Sequence, residues 1–156
     1  MQKIVPFLWF DDQAEQAAKF YTSIFKRSKI RSIDRYGDVG PGPAGSVMTV
    51  EFELEGQSFL ALNGGPHFTF SPAISLFVNC KTQKEVDRLW AKLSKGGTIE
   101  QCGWLRDKYG VSWQIIPRTL RKLMGDKDAA RSARVMKAML GMRKIDIKGL
   151  ERAYGR

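Results

Sequence analysis

Histidine and cysteine are scarce in this chain. Its 156 residues contain one histidine, His67, and two cysteines, Cys80 and Cys102. With one histidine the commonest general base is nearly absent, and no Ser-His-Asp arrangement can be read from the sequence. Two cysteines are too few for a disulfide scaffold and are typical of reduced thiols in a cytoplasm. The scarcity excludes a disulfide-stabilised scaffold and argues against a serine hydrolase.

Long apolar runs are also missing. No run approaches the roughly 20 residues that a membrane helix requires, and the first residues lack the basic-then-apolar layout of a signal peptide. The apolar fraction of 43% is ordinary for a globular protein. We therefore predict a cytoplasmic protein with no membrane partner.

Basic residues are in excess, and the excess is localised. The chain has a net charge of +10, and residues 118–156, with 12 basic and four acidic residues, carry +8 of it. A basic helical segment can bind nucleic acid. This segment also has apolar stripes, so we interpret its charge as the solvated face of packing helices and predict that nucleic acid is an unlikely partner.

The chain repeats one pattern. An aromatic and apolar run at 6–10 leads into a helix pattern ending near Phe25, and a similar run at 74–78 leads into one ending near Leu93. Each half closes on a Gly-x-Ser-aromatic strand, at 56–59 and at 110–113. Such a repeat predicts two similar modules that pack as a pair, with a pocket between them.

Hydrophobic periodicity predicts the same order of elements in both modules, β-α-β-β-β. Asp11 and Asp12 are expected to cap the first helix, and Thr82 with Glu85 forms a capping-box pattern at the second. The predicted strands of the first module span 3–10, 28–36, 46–54 and 57–63. Those of the second module span 73–79, 98–103, 104–109 and 111–116.

After Pro117 the pattern becomes helical, and three short helices are predicted, the first ending at Gly125. The fold class is therefore α+β, with a C-terminal helical tail. We expect residues 1–117 to form one structural domain of paired modules, about 1–66 and 67–117, and residues 118–156 to form the basic tail.

Five stretches are specific in combination. They contain the motifs PFLWFD, FYTSIF, ALNGGP, QCGWLRD and GVSWQIIP, at residues 6–11, 20–25, 61–66, 101–107 and 110–117.

With these motifs the chain resembles the PhnB-like group of the vicinal oxygen chelate superfamily, which includes glyoxalase I, extradiol dioxygenases and bleomycin-resistance proteins. The group often carries the label 3-demethylubiquinone-9 3-methyltransferase. The resemblance covers nearly the whole chain. It implies a glyoxalase-like fold in which the two modules form an open half-barrel sheet around a cavity, and it implies a homodimer. It does not fix a reaction, because one fold supports many activities.

Metal chelation is the chemistry that the resemblance implies, with ligands on the first and last strands of each module. They fall on Val5, Leu60, Ala73 and Gln114. Three of these side chains are aliphatic and cannot bind a metal, and His67 has no partner at ligand spacing. We predict that the protein has no metal site.

Methyl transfer is no better supported. Methyl donors of the usual kind bind at a glycine-rich turn between a parallel strand and a helix. The glycine-rich run, residues 37–45, links two predicted strands and contains two prolines, which cannot donate backbone hydrogen bonds. We interpret it as a loop and predict no cofactor.

An aromatic cavity with a few polar groups remains, which is how ligand sites are commonly lined. The alternative is that the same aromatic residues fill a closed core, because sequence cannot distinguish pocket from core. The candidate ligand-binding residues are Phe7, Trp9, Asn63, Ser75, Cys102, Trp104, Trp113 and Gln114.

Three functions are therefore open. The first is binding of a small planar or hydrophobic molecule in an inter-module cavity without a metal, with or without catalysis. The second is a metal-dependent lyase, isomerase or dioxygenase whose ligands lie at other positions. The third is nucleic-acid binding through the basic tail, which would weaken steeply with added salt.

Overall fold

The computed structural model describes residues 1–155, which form two compact units, Met1–Phe70 and a second unit that begins at Ser71. Within residues 1–155, every helix is too short or too polar to cross a membrane.

The first unit is one β-α-β-β-β module. The elements are β1 (Phe7–Phe10), α1 (Ala14–Ile24), β2 (Lys29–Arg35), β3 (Val47–Leu54) and β4 (Gln57–Asn63). The sheet has the order β1-β4-β3-β2, with β1 parallel to β4 and the other pairs antiparallel.

Helix α1 lies close to this sheet because its buried face is rich in alanine. Ala14, Ala17 and Ala18 are fully buried, and Tyr21 packs its ring 6.3 Å from that of Phe52 on β3. Small side chains bring the helix backbone near the strands, while the tyrosine fills the remaining space.

The start of α1 differs from the prediction. Neither Asp11 nor Asp12 caps it; the N-cap residue is Gln13, which makes no side-chain cap. The side-chain oxygen of Asn63, at the end of β4, accepts the Ala14 N–H at 2.8 Å instead. The aspartate prediction was wrong because the cap comes from a residue 49 positions away.

The second unit repeats the module. The elements are β5 (Ser75–Cys80), α2 (Gln83–Ser94), β6 (Thr98–Ile99), β7 (Trp104–Arg106) and β8 (Ser112–Pro117). The sheet has the order β5-β8-β7-β6, again with one parallel pair, β5 with β8.

Helix α2 begins as predicted. The Thr82 hydroxyl accepts the Glu85 N–H at 3.2 Å, and the Glu85 carboxylate accepts the Lys81 N–H at 2.9 Å. The apolar stripe of α2 packs on β7 and β8, where Leu105 and Trp113 are paired and buried. One face of the second sheet is therefore covered by α2.

The tail forms three helices, as predicted, and a core of its own. They are α3 (Arg118–Met124), α4 (Ala129–Leu140) and α5 (Ile147–Gly155). Their buried side chains cluster around Ile116 of β8, and three tail methionines pack against that cluster. The tail is thus part of the second unit. The cluster contains Ile116, Leu120, Val135, Ile145 and Leu150, with Met124, Met139 and Met142 among its partly buried neighbours.

Side-chain and backbone hydrogen bonds fix the tail to the module. Gln83 of α2 donates to the Ile145 carbonyl at 3.0 Å and accepts the Ile147 N–H at 2.8 Å. The backbone N–H groups of Cys102 and Gly103 donate to tail carbonyls at 2.9 and 2.7 Å. The α+β class, the two modules and the helical tail are all confirmed.

Candidate ligand pocket of the second unit

Three side chains form a row across the second sheet, on the face that α2 leaves uncovered. Gln114 of β8 is paired with Phe77 of β5 on one side and with Trp104 of β7 on the other. Directly paired residues share a face, because side chains alternate along each strand. Phe77 remains 47% exposed, so this row is an accessible surface rather than a closed core.

The middle of the row is polar and held in place. The side-chain amide of Gln114 donates a 2.9 Å hydrogen bond to the Ser75 hydroxyl. Ser75 precedes Phe77 by two positions on β5 and therefore lies on the same face. The hydrogen bond restrains the Gln114 amide between two aromatic side chains.

The tail completes a pocket over this row. Helix α3 follows directly from β8, so its side chains return over the sheet end, and α4 packs beside it. The pocket is open to solvent and has a volume of about 430 Å³, which lies within the usual range for small-molecule sites. Its lining is Phe77, Cys102, Trp104, Gln114 and Ile116 from the module, and Leu120, Arg121, Met124, Gly125 and Met139 from the tail.

A tight turn places Cys102 in this lining. Cys102 has a φ of 58°, and Gly103 has a φ of 83°, with no room for a side chain beside Ile116. The two hydrogen bonds to the tail hold this conformation, which otherwise favours glycine. Cys102 is partly exposed and lines the pocket, whereas Cys80 is buried. Burial is the main cause that raises the pKa of Cys80 to about 12, and the nearby Glu85 charge adds to it.

Arg121 is the charged residue of the lining. Its side chain is exposed, and within residues 1–155 no carboxylate forms an ion pair with it. The nearest acidic residue along the chain, Asp126, accepts a 2.6 Å hydrogen bond from the Tyr154 hydroxyl. That hydrogen bond, with one from the Asp128 N–H, lowers the pKa of Asp126. The pocket therefore has one positive charge at its margin.

Four of the predicted site residues meet at this pocket. Cys102, Trp104 and Gln114 line it, and Ser75 holds Gln114. Trp113 does not line it, because alternation on β8 turns its ring to the opposite face. There it is 2% exposed, and its indole N–H donates to the buried Asp107 carboxylate at 2.8 Å. Trp113 occupies the core, which was the alternative for the aromatic residues.

The other three predicted residues belong to the first unit. Phe7 is 53% exposed on β1. The Trp9 indole N–H donates to the Gly65 carbonyl at 2.9 Å, and its ring packs against Phe68. The side-chain oxygen of Asn63 accepts the Ala14 N–H at the start of α1, and its side-chain nitrogen donates to the Val47 carbonyl. Asn63 therefore has a structural role in its own unit.

The residues present do not fit a metal. Val5 and Ala73 precede β1 and β5, and Leu60 lies on β4 opposite Phe7. Within the described chain, no three histidine, cysteine, aspartate or glutamate side chains are close enough together to hold an ion. Of the four positions that correspond to metal ligands in the superfamily, only Gln114 has a side chain that could coordinate a metal. Its amide nitrogen donates a hydrogen bond to the Ser75 hydroxyl.

The glycine-rich run does not precede a helix. It joins the antiparallel strands β2 and β3, as predicted, and it packs on the Tyr36 ring. A side chain at Gly42 would overlap that ring, and the Tyr36 hydroxyl donates to the Asn63 carbonyl at 2.6 Å. The glycine at this position makes room for an aromatic ring rather than for a nucleotide.

Several lining residues were not predicted from the sequence. Phe77 had a detectable signal, because it is the aromatic residue of the run 74–78 that was predicted as a strand. The tail residues had none, since their pattern is that of ordinary packing helices. The unpredicted residues are Phe77, Ile116, Leu120, Arg121, Met124, Gly125 and Met139.

A family sequence model and a solved structure that match this chain carry the same family description. The sequence model of the family described as 3-demethylubiquinone-9 3-methyltransferase matches residues 2–116. The PhnB protein from Bacillus cereus, which carries the same description, is 46% identical over 72% of this chain and 97% of its own, with a TM-score of 0.67. No curated protein matches.

Two further solved structures are more distant. Protein PA1353 from Pseudomonas aeruginosa is 22% identical over 72% of this chain and 95% of its own, with a TM-score of 0.60, and supports the fold alone. A glyoxalase/bleomycin resistance protein from Albidiferax ferrireducens is 20% identical over 72% and 95%, with a TM-score of 0.45.

Proposed function

The chain belongs to the 3-demethylubiquinone-9 3-methyltransferase family, and from this premise we propose that it binds a small, planar and largely apolar molecule in the pocket of its second unit, without a metal. The pocket lining supports this proposal. Its walls are mainly aromatic and aliphatic, and a few polar groups are held at defined positions. Sites of this composition bury the apolar body of a ligand and orient it by a few hydrogen bonds.

The tail gives this pocket features beyond those of the family. The family match ends at residue 116, and α3 begins at Arg118. Half of the residues in the lining come from the tail, including Leu120, Met124 and Met139. Methionine adapts to the shape of an apolar partner. The proposed ligand is therefore selected by a wall that lies outside the family match.

The family description does not lead us to propose methyl transfer. The glycine-rich run joins two antiparallel strands, and the junction from the parallel strand β8 to helix α3, beside the pocket, contains no glycine. A metal-dependent reaction lacks donors at Val5, Leu60 and Ala73. The lining offers apolar surface and a few hydrogen-bonding groups, which support the binding of a small molecule.

The basic tail supports nucleic-acid binding less than its composition predicts, because four of its basic side chains have partners in the second unit. Arg134 donates to the carbonyls of Ala153 and Tyr154 at the end of α5, where a cation also offsets the helix dipole. Lys144 pairs with Asp87 at 2.9 Å, and the Arg131 guanidinium lies 4.8 Å from the centre of the Tyr154 ring. These contacts attach the tail to its own unit.

A matched pair of variants tests the proposal. Met139→Trp puts a large ring into the pocket, whereas Met136→Trp puts the same ring on the exposed side of the same helix, where Met136 is 39% exposed. In isothermal titration calorimetry with 1-naphthamide as probe, wild type and Met136→Trp should bind and Met139→Trp should not. Equal binding by all three proteins would contradict the proposal.

We also propose that the protein is a two-fold symmetric homodimer. Each sheet has edge strands with unpaired backbone groups, which favour association. Three of the four tail methionines pack in the chain's own core, so the tail contributes less free apolar surface than its composition predicts. Met136 and Leu140 remain exposed on one face of α4.

A further inference from the structure

We infer that the preferred ligand is a small aromatic carboxylate, and that Arg121 of the pocket margin provides this preference. The inference rests on the proposed function and adds the chemical class of the ligand. A planar aromatic body would lie in the apolar part of the pocket, and its carboxylate would meet the guanidinium.

The charges around the pocket support an anion. Helix α3 contains Arg118, Arg121 and Lys122 and no acidic residue. The pocket lining contains Arg121 and no carboxylate. An anion in the pocket would therefore gain attraction from the cations of α3 and would meet no carboxylate among the lining residues.

Arg121 is available for such a contact. Three other arginines of the tail are engaged: Arg131 and Arg152 pair with aspartates, and Arg134 donates to two carbonyls. Within residues 1–155, no hydrogen bond or ion pair involves the Arg121 guanidinium. Its planar group presents parallel N–H donors that match the two oxygens of a carboxylate.

The arrangement of α3 supports a ligand that is apolar at one end and charged at the other. Leu120 and Met124 lie one helical turn apart and line the pocket beside Ile116. Arg121 follows Leu120 and is exposed to solvent. A ligand with its ring against the aliphatic side chains would have its charged end at the solvent side, where desolvation of the carboxylate is small.

Two probes of one shape test the inference. 1-Naphthoate and 1-naphthamide share a ring system and differ in charge, so calorimetric titration of both isolates the carboxylate. Wild type should bind the carboxylate about tenfold more tightly than the amide at low salt, since hydrogen bonds to charged groups are the stronger kind. Added salt should reduce that ratio.

Variants of two arginines test whether Arg121 provides the preference for the carboxylate over the amide. Arg121→Gln should bring the two affinities to within about twofold while amide binding persists, as expected when one exposed ion pair is lost. Arg118→Gln, which removes a charge from the same helix outside the lining, should keep the preference. Equal binding of both probes by wild type, or a preference that survives Arg121→Gln, would overturn this inference and leave the proposed function standing. Failure of wild type to bind either probe would overturn the proposed function and the inference with it.

Discussion

The Gln114 amide donates its hydrogen bond to the Ser75 hydroxyl across two parallel strands, at 2.9 Å. This contact fixes the one strand-borne amide of the pocket between Phe77 and Trp104. The corresponding position of the first module, Leu60, is aliphatic. The second module thus has a restrained polar group where the first has none, and the predictions below concern that module and its tail.

Two tryptophans of the second sheet should affect different properties. Trp104→Ala removes a pocket wall, so it should weaken binding of 1-naphthamide by roughly tenfold or more. Trp113→Ala removes a buried ring and its hydrogen bond to Asp107, so it should lower the free energy of unfolding by about 3–5 kcal/mol. Calorimetric titration and urea denaturation measure the two effects.

The two variants control for each other. Trp113→Ala protein that stays folded should keep most of its affinity, because the lost ring lies on the face covered by α2. If Trp113→Ala weakened binding as much as Trp104→Ala without loss of structure, the assignment of the pocket face would be wrong.

The two thiols should react very differently. Cys80 is fully buried, and the rise of its pKa to about 12 keeps it protonated at neutral and mildly alkaline pH. Cys102 is partly exposed in the pocket. Iodoacetamide at pH 8 should therefore add one group per chain, on Cys102, as read by peptide mass spectrometry, because the thiolate is the reactive form. Cys102→Ser should abolish this fast reaction; alkylation of native Cys80 at a similar rate would contradict the packing described.

The contribution of Tyr154 to stability should depend on pH and be lost in acid. The Tyr154 hydroxyl lowers the pKa of Asp126 by donating to its carboxylate. A lowered folded-state pKa stabilises the fold above the unfolded-state value of about 3.9, and this stabilisation is lost as the pH falls through the folded-state pKa. Tyr154→Phe keeps the ring that Arg131 contacts and removes the hydroxyl. Its Tm should lie below that of wild type at pH 7, and the gap should close in acid. A gap that is constant with pH would exclude this linkage.

The proposed dimer has a direct test. Light scattering at micromolar concentration should give twice the chain mass of 17.7 kDa. If the exposed face of α4 takes part, Leu140→Lys should shift the protein toward monomer, whereas Gln16→Lys on the exposed face of α1 should not. A wild-type monomer would reject the dimer, and a dimer unaffected by Leu140→Lys would exclude α4 from the interface.

The sequence predicted the elements well because their signals are local. The Thr82 cap and the apolar stripe of α2 depend on residues within one or two turns, and they were found at the predicted positions. The cap of α1 was missed because it comes from Asn63, which only the folded sheet brings to Ala14. Local patterns cannot encode a contact of that kind.

The candidate site was only partly predictable for the same reason. Trp104 and Trp113 look alike in sequence, yet strand pairing places Trp104 with Gln114 and Trp113 with Leu105, on opposite faces. Whether the Arg121 guanidinium is left without an ion pair depends on which side chains the fold brings next to the nearby acidic residues. Residue type identified aromatic and polar candidates, and sheet register decided which of them meet.

Protection of Cys102 tests the central claim most directly. Cys102 lines the pocket with Trp104 and Gln114, so we expect a ligand bound there to restrict access to its thiol. The rate of iodoacetamide alkylation at pH 8 should fall at least tenfold with saturating 1-naphthoate in wild type, since the reagent reacts only with the ligand-free fraction. The rate should be unchanged by this probe in Met139→Trp. Saturation of wild type by the probe with no change in the alkylation rate would show that the ligand binds elsewhere and would contradict the account.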